Sequence, residues 1–458
     1  MTVKLKNIGI LKQAEFSLGD LTVICGENNT GKTYAACALY GFLKSWHQFI
    51  RFPISDAQIQ QARTERVKID LAQATDDMLT KACKKYTQQL HKIFAAPEGT
   101  FQSSEFHLVT DEINIQNKKF NSILTSLQNP AFIFSKGKGS DIAILTSRIR
   151  EKQETEIDTD SVKSAIDFII IDDIFSGSFP RPFIASAERT GISTFRKELN
   201  FARDRLLKEM AGADRDIDPR QLLSKGYQRY PSPIEANVDF MGQLQDVAKN
   251  KSFIAKEHPE ILDDFTDIIG GTYAITQNDL LYYIPKGTRS KLTMVESSST
   301  ARALLDLSFY LNCIAEKGDL LMVDEPELSL HPENQRRIAR LFARLANLGV
   351  KVFVTTHSDY IIKELNTLIM LNHDKPHLKR VAEENGYQEN ELINVDQVKV
   401  YIAEKALMPL EDGQKRRRKE HTLVPAKIHP ELGIGVSSFD KTIDDMNRIQ
   451  DDIVWGEE

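Results

Sequence analysis

Three short stretches of the chain carry side chains whose types and spacing suit phosphate chemistry. Residues 26–33 read Gly26-Glu27-Asn28-Asn29-Thr30-Gly31-Lys32-Thr33, following an apolar run from Leu21 to Cys25 and opening an alanine-rich segment. This is G-x-x-x-x-G-K-[ST] in the strand–loop–helix setting the motif requires. Two glycines let the backbone wrap closely around an anion, and the N–H groups at the helix start bind it. Lys32 is then expected to reach β- and γ-phosphates, and the Thr33 hydroxyl to ligate magnesium.

The second stretch is GDLLMVDEPELSLHPENQRRIARLF, residues 318–342. Leu320 to Val323 form an apolar strand ending in Asp324 and Glu325. An acidic pair at the C-terminal edge of a strand is what magnesium–phosphate chemistry uses in an α/β sheet. Asp324 is expected at the metal, and Glu325 as the general base that orients water. The third stretch, KVFVTTHSDYII at 351–362, is again a buried strand, and His357 follows it where a γ-phosphate sensor would sit. Upstream, TMVESSSTARALLDLSFYLN (293–312) sets Ser297, Ser298 and Ser299 at the start of an apolar helix, where hydroxyls and free N–H groups suit a phosphate.

The elements that must position these groups can be read in outline. Residues 3–24 alternate apolar and polar and imply two or three strands leading into the loop. The helix after Lys32 is expected to run to about Ile50. Helical spacing dominates 56–95, and short strands are expected within 101–150. AIDFIIIDDIFSG (165–177) imitates an acidic strand end at Asp172-Asp173, but no glutamate follows; it reads as a buried helix or strand. A strand and compact turn cover 182–195, an amphipathic helix 195–212, helices 233–265 and a hairpin 270–287. The expected organisation is a first ATPase lobe at 1–55, a mainly helical insert at 56–180 and a helical and β lobe at 181–292. A second ATPase lobe follows at 293–400, then a strand, basic loop and tail at 401–458.

Composition narrows the classes. The 458 residues can bury a large core, and 41% hydrophobic with 27% charged residues is ordinary for a globular protein. A formal net charge of −6 gives no global attraction to nucleic acid or anionic membrane. The exception is local: Lys415, Arg416, Arg417, Arg418 and Lys419 are consecutive. They read as an exposed loop or as a weak, sequence-independent contact with DNA phosphates. Cys25, Cys37, Cys83 and Cys313 are far apart and lack a C-x-x-C pair, so a reducing compartment is expected. No apolar signal core or membrane span is evident, so a cytoplasmic protein without membrane contact is expected.

The order and content of these motifs resemble the ABC-type ATPase heads of the SMC and OLD group and their DNA-repair relatives. The resemblance covers roughly residues 1–50 and 180–365. It implies an α/β P-loop ATPase head with a mixed sheet and an inserted helical lobe, ATP and Mg2+ as ligands, and homo-oligomers joined head to head through their ATP sites. It further implies that Ser297, Ser298 and Ser299 form the signature loop that completes a neighbour's site. Ser329, Leu330 and His331 match the D-loop, and His357 the switch histidine. Ser299 stands where the group usually has glycine, and the group's Q-loop glutamine is not evident. FIASAERTGI resembles the P-A-E-R-type turn of OLD-like ATPases with Ser186 in place of proline; Glu188 and Arg189 either lie at the site or pack the lobe.

The glutamate and D-x-D pattern of a fused Toprim nuclease is not found after His357. The chain therefore resembles the stand-alone ATPase subunits of PARIS-type and Septu-type anti-phage systems. By analogy, it is expected to be a sensor or regulatory subunit controlling a separately encoded effector, such as a nuclease. The alternative is a DNA-binding repair or recombination ATPase. A transporter's nucleotide-binding subunit fits less well, because its signature would keep glycines.

Overall fold

The computed structural model describes residues 1–110, 113, 115–126, 129–147, 159–175, 177–199, 230–409, 417–435, 446–451 and 453. The first strands are β1 (Thr2–Ile8), β2 (Leu11–Ser17) and β3 (Leu21–Cys25). All five residues of β3 are buried, as expected of a strand covered on both faces. It leads through the glycine loop into helix α1 (Lys32–Ser45). A 3-10 turn at Trp46–Gln48 follows, so the helix ends a little short of Ile50.

Beyond α1 come β4 (Val67–Asp70), helix α2 (Leu71–Gln88), β5 (Glu105–Val109), β6 (Phe120–Ser126), β7 (Asn129–Lys136), β8 (Ile142–Ser147) and helix α3 (Thr159–Ile169). The region expected as a mainly helical insert thus holds an antiparallel sheet beside its helices, with four of the strands inside 101–150, where short strands are expected. Strands β4, β8, β7 and β6 form a four-stranded antiparallel sheet, and β5 pairs with β1 in a second antiparallel sheet ordered β2-β1-β5. The period-2 signal is short and embedded in charged sequence: only Val67 and Ile69 are buried in β4, and only Ala143 and Leu145 in β8. The stretch at 165–177 is α3 followed by a π-helical turn at Ile170–Ile174, with Ile166, Ile170, Ile174 and Phe175 buried. It is the buried helix or strand that its sequence suggested.

The next elements are β9 (Pro182–Ala185), α4 (Arg189–Thr194), α5 (Ser232–Gly242), α6 (Pro259–Ile269), β10 (Gly271–Ile275), β11 (Leu281–Pro285) and β12 (Leu292–Thr293). The expected hairpin is β10 with β11, extended by β12. Most of the helix expected at 195–212 lies outside the described residues. The chain then forms α7 (Ser299–Ala303), β13 (Leu320–Asp324), α8 (Pro332–Asn347), β14 (Lys351–Thr356), α9 (Asp359–Leu371), β15 (Val398–Pro409) and β16 (Arg417–Pro425).

One mixed sheet organises the molecule, in the order β16-β15-β3-β14-β13-β9. Strands β15, β3, β14, β13 and β9 are parallel; β16 is antiparallel at the edge. Strand β15 belongs to this sheet because it pairs directly with β3, from Val398–Leu21 to Ile402–Cys25. Side chains alternate between two cores. Ile24, Leu320, Met322 and Phe353 join the core with β1, β2, α1 and the insert. Val23, Leu321, Val323, Val352 and Val354 face the core built by the helices after residue 232. Among the described residues, no helix is long and apolar enough to cross a membrane.

Candidate active site

Parallel strands bring their C-terminal ends to one edge of a sheet, where ligands of open α/β folds bind. Here that edge gathers the glycine loop after β3, Asp324 and Glu325 at the end of β13, His357 after β14 and the Ser186–Arg189 turn after β9. The loop needs its glycines. Gly26 has φ +143°, and a Cβ there would lie 2.5 Å from the Ala403 carbonyl of β15. Gly31 caps α1 at φ +100°. Asn29 also takes a positive φ, +60°, which asparagine tolerates best after glycine. Glu27, Asn28 and Asn29 are exposed, and Thr30 is buried with its hydroxyl donating to the Glu27 carbonyl at 2.7 Å.

Lys32 is buried, and its ammonium donates to the carbonyls of Gly26 at 2.8 Å and Glu27 at 2.7 Å. Burial pushes its pKa down, while Glu325, Glu327 and Asp324 push it up. The Thr33 hydroxyl donates to Asp324 Oδ2 at 3.1 Å. Asp324 is itself buried, and Thr355 Oγ1 donates to its Oδ1. Burial raises the Asp324 pKa, opposed by the bonds from Thr355 and Thr33 and reinforced by Glu325 and Glu188.

Glu325 is partly exposed and adopts φ +51°, uncommon for a glutamate. Its N–H donates to the Thr355 carbonyl at 3.0 Å. His357 Nδ1 stands 3.7 Å from Glu325 Oε1 and 3.1 Å from Glu327 Oε1. Glu327 is buried; its Oε1 accepts from Thr356 Oγ1 at 2.9 Å and from the His357 N–H at 2.6 Å, while Oε2 is buried without a partner.

The serine cluster is built differently. Ser297 is buried, and its hydroxyl donates to the Met294 carbonyl at 2.8 Å. Ser298 caps α7 by accepting from the Ala301 N–H at 3.1 Å; Ser298 and Ser299 are exposed. Among the described residues these serines share no hydrogen bond with Lys32 or Thr33. Thr300 donates to the carbonyl of Ser329, which has φ +61°. His331 is exposed and caps α8, its Nδ1 accepting from the Glu333 N–H at 3.3 Å. Leu330 is buried in the helical core.

Glu188 is exposed and lines a cavity of about 330 Å3 with Thr33, Asp324, Ser186 and Phe101. The basic run is only partly described. Arg417, Arg418 and Lys419 belong to edge strand β16 rather than to a loop, with Arg418 paired to Glu420 at 3.1 Å. Lys415 and Arg416 lie outside the described residues. Charged side chains on an edge strand oppose unwanted pairing with another sheet.

With this geometry in hand, the match to known families is direct: residues 1–362 correspond to the family AAA_15, described as an AAA ATPase domain. The chain belongs to the AAA_15 family. No curated protein matches this AAA_15 chain. Among solved structures it is similar to an SMC head bound to the C-winged helix domain of ScpA, at 10% identity over 93% of this chain and 97% of that one, with a TM-score of 0.33. It is also similar to the SMC head domain from Thermotoga maritima, at 10% identity over 93% and 98% with a TM-score of 0.29. A third is the Smc head with an extended coiled coil bound to the C-terminal domain of ScpA, derived from Pyrococcus furiosus. It shows 12% identity over 98% of each chain and a TM-score of 0.30.

Two residues that brace this edge of the AAA_15 chain carry no motif signal in the sequence. Thr355 and Glu327 stand beside motif residues but read as ordinary strand and turn positions. The sequence leaves Arg189 open between site and packing; the structure buries it against the backbone at the ends of β13 and α7. Its buried guanidinium donates to the carbonyls of Ser186, Asp324, Glu325 and Ala303 at 2.7 to 2.9 Å.

Proposed function

We propose that the chain is an ATP hydrolase working head to head with another copy of itself, as the sensor or regulatory subunit of an anti-phage defence system. The observation that carries the hydrolase reading is the convergence on one sheet edge of the Lys32–Thr33 loop, buried Asp324 and Glu325. Thr33 and Asp324 lie 3.1 Å apart and offer the hard oxygen donors that Mg2+ requires. When bound there, the ion would neutralise charge at the β- and γ-phosphates of ATP.

The chain's own residues supply the rest. Loop N–H groups bind phosphate oxygens, and Lys32 exchanges its bonds to Gly26 and Glu27 for bonds to the β- and γ-phosphates. Glu325 accepts the proton of the attacking water as its oxygen bonds to the γ-phosphorus and the ADP oxygen leaves. His357 contacts the γ-phosphoryl group, with Glu327 setting its ring. Ser298 and Ser299, exposed and unconnected to Lys32 in their own chain, complete the site of the neighbouring copy beside Ser329 and His331. Closed and open assemblies then differ in free energy by what ATP contributes across the contact, and hydrolysis shifts the population between them. This switch would hold or release a separately encoded effector.

The experiment is purification of tagged Glu325→Gln protein from its native host with ATP present. A stoichiometric protein encoded beside this one supports the regulatory reading and identifies the effector. DNA alone, eluting with salt, would replace that reading by a repair or recombination ATPase contacting phosphates through the basic run Lys415, Arg416, Arg417, Arg418 and Lys419.

A further inference from the structure

Glu325 must present its carboxylate at a fixed place, yet its backbone sits in the left-handed region, φ +51°. That conformation is unfavourable for a residue with a Cβ and persists only where the surroundings over-determine it. The Glu325 N–H is bonded to Thr355. Its carbonyl is held from the other side by Arg189 Nη2 at 2.8 Å, while Nη1 holds the preceding Asp324 carbonyl at 2.7 Å. The same guanidinium reaches away from the sheet. Its Nε donates to the carbonyl of Ala303 at 2.8 Å, the last residue of α7, which opens at the serine cluster.

Two further bonds tie α7 to the same region. Ser193 Oγ lies 3.3 Å from the Arg302 carbonyl, and Thr300 Oγ1 donates to Ser329 at 2.8 Å. The guanidinium is buried among these carbonyls, and of the carboxylates that favour its charge Asp306 contributes most, ahead of Asp324, Glu327 and Glu325. Asp306 lies on the same chain segment, three residues beyond Ala303, and both its oxygens are buried without a hydrogen-bond partner.

We propose that Arg189 is a positioning residue that fixes the backbone of Glu325 and links it rigidly to the serine-bearing helix, so that engagement of those serines by a neighbouring copy is felt at Glu325. This rests on the hydrolytic role assigned to Glu325 above. A guanidinium suits the task because its planar fork bonds several carbonyls at once, which an ammonium cannot reproduce.

The test compares wild type with Arg189→Met, Arg189→Lys, Glu325→Gln and the Arg189→Met/Glu325→Gln double variant. ATP affinity is read with a fluorescent ATP analogue, turnover by phosphate release and folding by urea titration. Arg189→Met is expected to keep analogue affinity within about threefold and to lose about 100-fold in kcat, the scale of a small misplacement of a catalytic group. Arg189→Lys should fall between, and it carries the test alone if Arg189→Met does not fold. Because Arg189 acts through Glu325, the double variant should turn over at the residual rate of Glu325→Gln. Wild-type turnover in both Arg189 variants, losses that multiply with Glu325→Gln, or equal losses of affinity and kcat would overturn the proposal. If Glu325→Gln itself turns over at the wild-type rate, the role of Glu325 fails rather than the link to Arg189.

Discussion

The residues that matter most here are charged groups held by neutral ones. Lys32 is buried, and desolvation lowers its pKa; the carboxylates of Glu325, Glu327 and Asp324 oppose that shift only in part. Its bonds to the Gly26 and Glu27 carbonyls keep the ammonium at the mouth of the loop. Lys32→Ala is expected to weaken ATP binding by about 100-fold or more, since charge-assisted bonds of about 1.5–3 kcal/mol each are lost. Titration with a fluorescent ATP analogue checks this, and unchanged affinity would remove Lys32 from the site. Glu327 makes a sharper case. Glu327→Gln keeps an acceptor for the Thr356 hydroxyl and the His357 N–H but takes away the charge beside the ring. Glu327→Ala strands both donors. The expectation is that Glu327→Ala lowers unfolding free energy by about 1–3 kcal/mol while Glu327→Gln loses less. Urea denaturation of both variants decides between a carboxylate that orders the β14 end and one that does not.

At the scale of elements, five parallel strands aim their C-terminal ends at one edge, and the helix after the serines is strapped to that edge from behind. Asp306 is the exposed weakness of this arrangement. Burial pushes its carboxyl up to about 7, with Arg189 the main opposing influence. A folded-state pKa raised above the usual carboxylate value means that the folded protein holds this proton more tightly. The associated stability is full below about pH 4 and is lost as pH rises through about 7. Asp306→Asn, which cannot ionise, should therefore unfold with less loss between pH 4 and pH 7 than wild type does. Urea midpoints across that range test it; parallel curves for the two proteins would contradict the burial of an ionisable Asp306.

The same scale explains what could be read from the chain. The strand-end positions of the glycine loop, the Asp324-Glu325 pair and His357 were legible because each follows directly on a short buried apolar run. Arg189 stays open between site and packing in the sequence, because three of its four carbonyl partners lie 114 to 136 residues away from it. The insert was legible only in part, its short strands within 101–150 but not the sheet they form. Its helix α2 has a strong apolar face, with Leu71, Met78, Leu79 and Ala82 buried. Its strands β4 and β8 bury only alternate residues. Strand β15 reads as a strand, but only its pairing with β3 reveals that it belongs to the central sheet and closes on Gly26.

For the whole molecule, hydrolysis as proposed needs one chain's loop and acidic pair to be completed by another chain's serines. Ser297 is committed to its own turn, so the exposed Ser298 and Ser299 carry the contact. Ser298 also caps α7, which makes Ser299 the cleaner position to disturb. The deciding measurement is steady-state ATP turnover of Lys32→Ala and Ser299→Trp proteins, separately and mixed in equal amounts. Each alone should be inactive: one lacks phosphate binding, and the other cannot complete its partner's site. In the mixture, half of a randomly assorted two-fold population pairs unlike chains and restores one of two sites, so about a quarter of wild-type turnover should return. Recovery at that level is the predicted result. A mixture as inactive as its parts, with both proteins folded and Ser299→Trp still binding ATP, would contradict a site shared between chains.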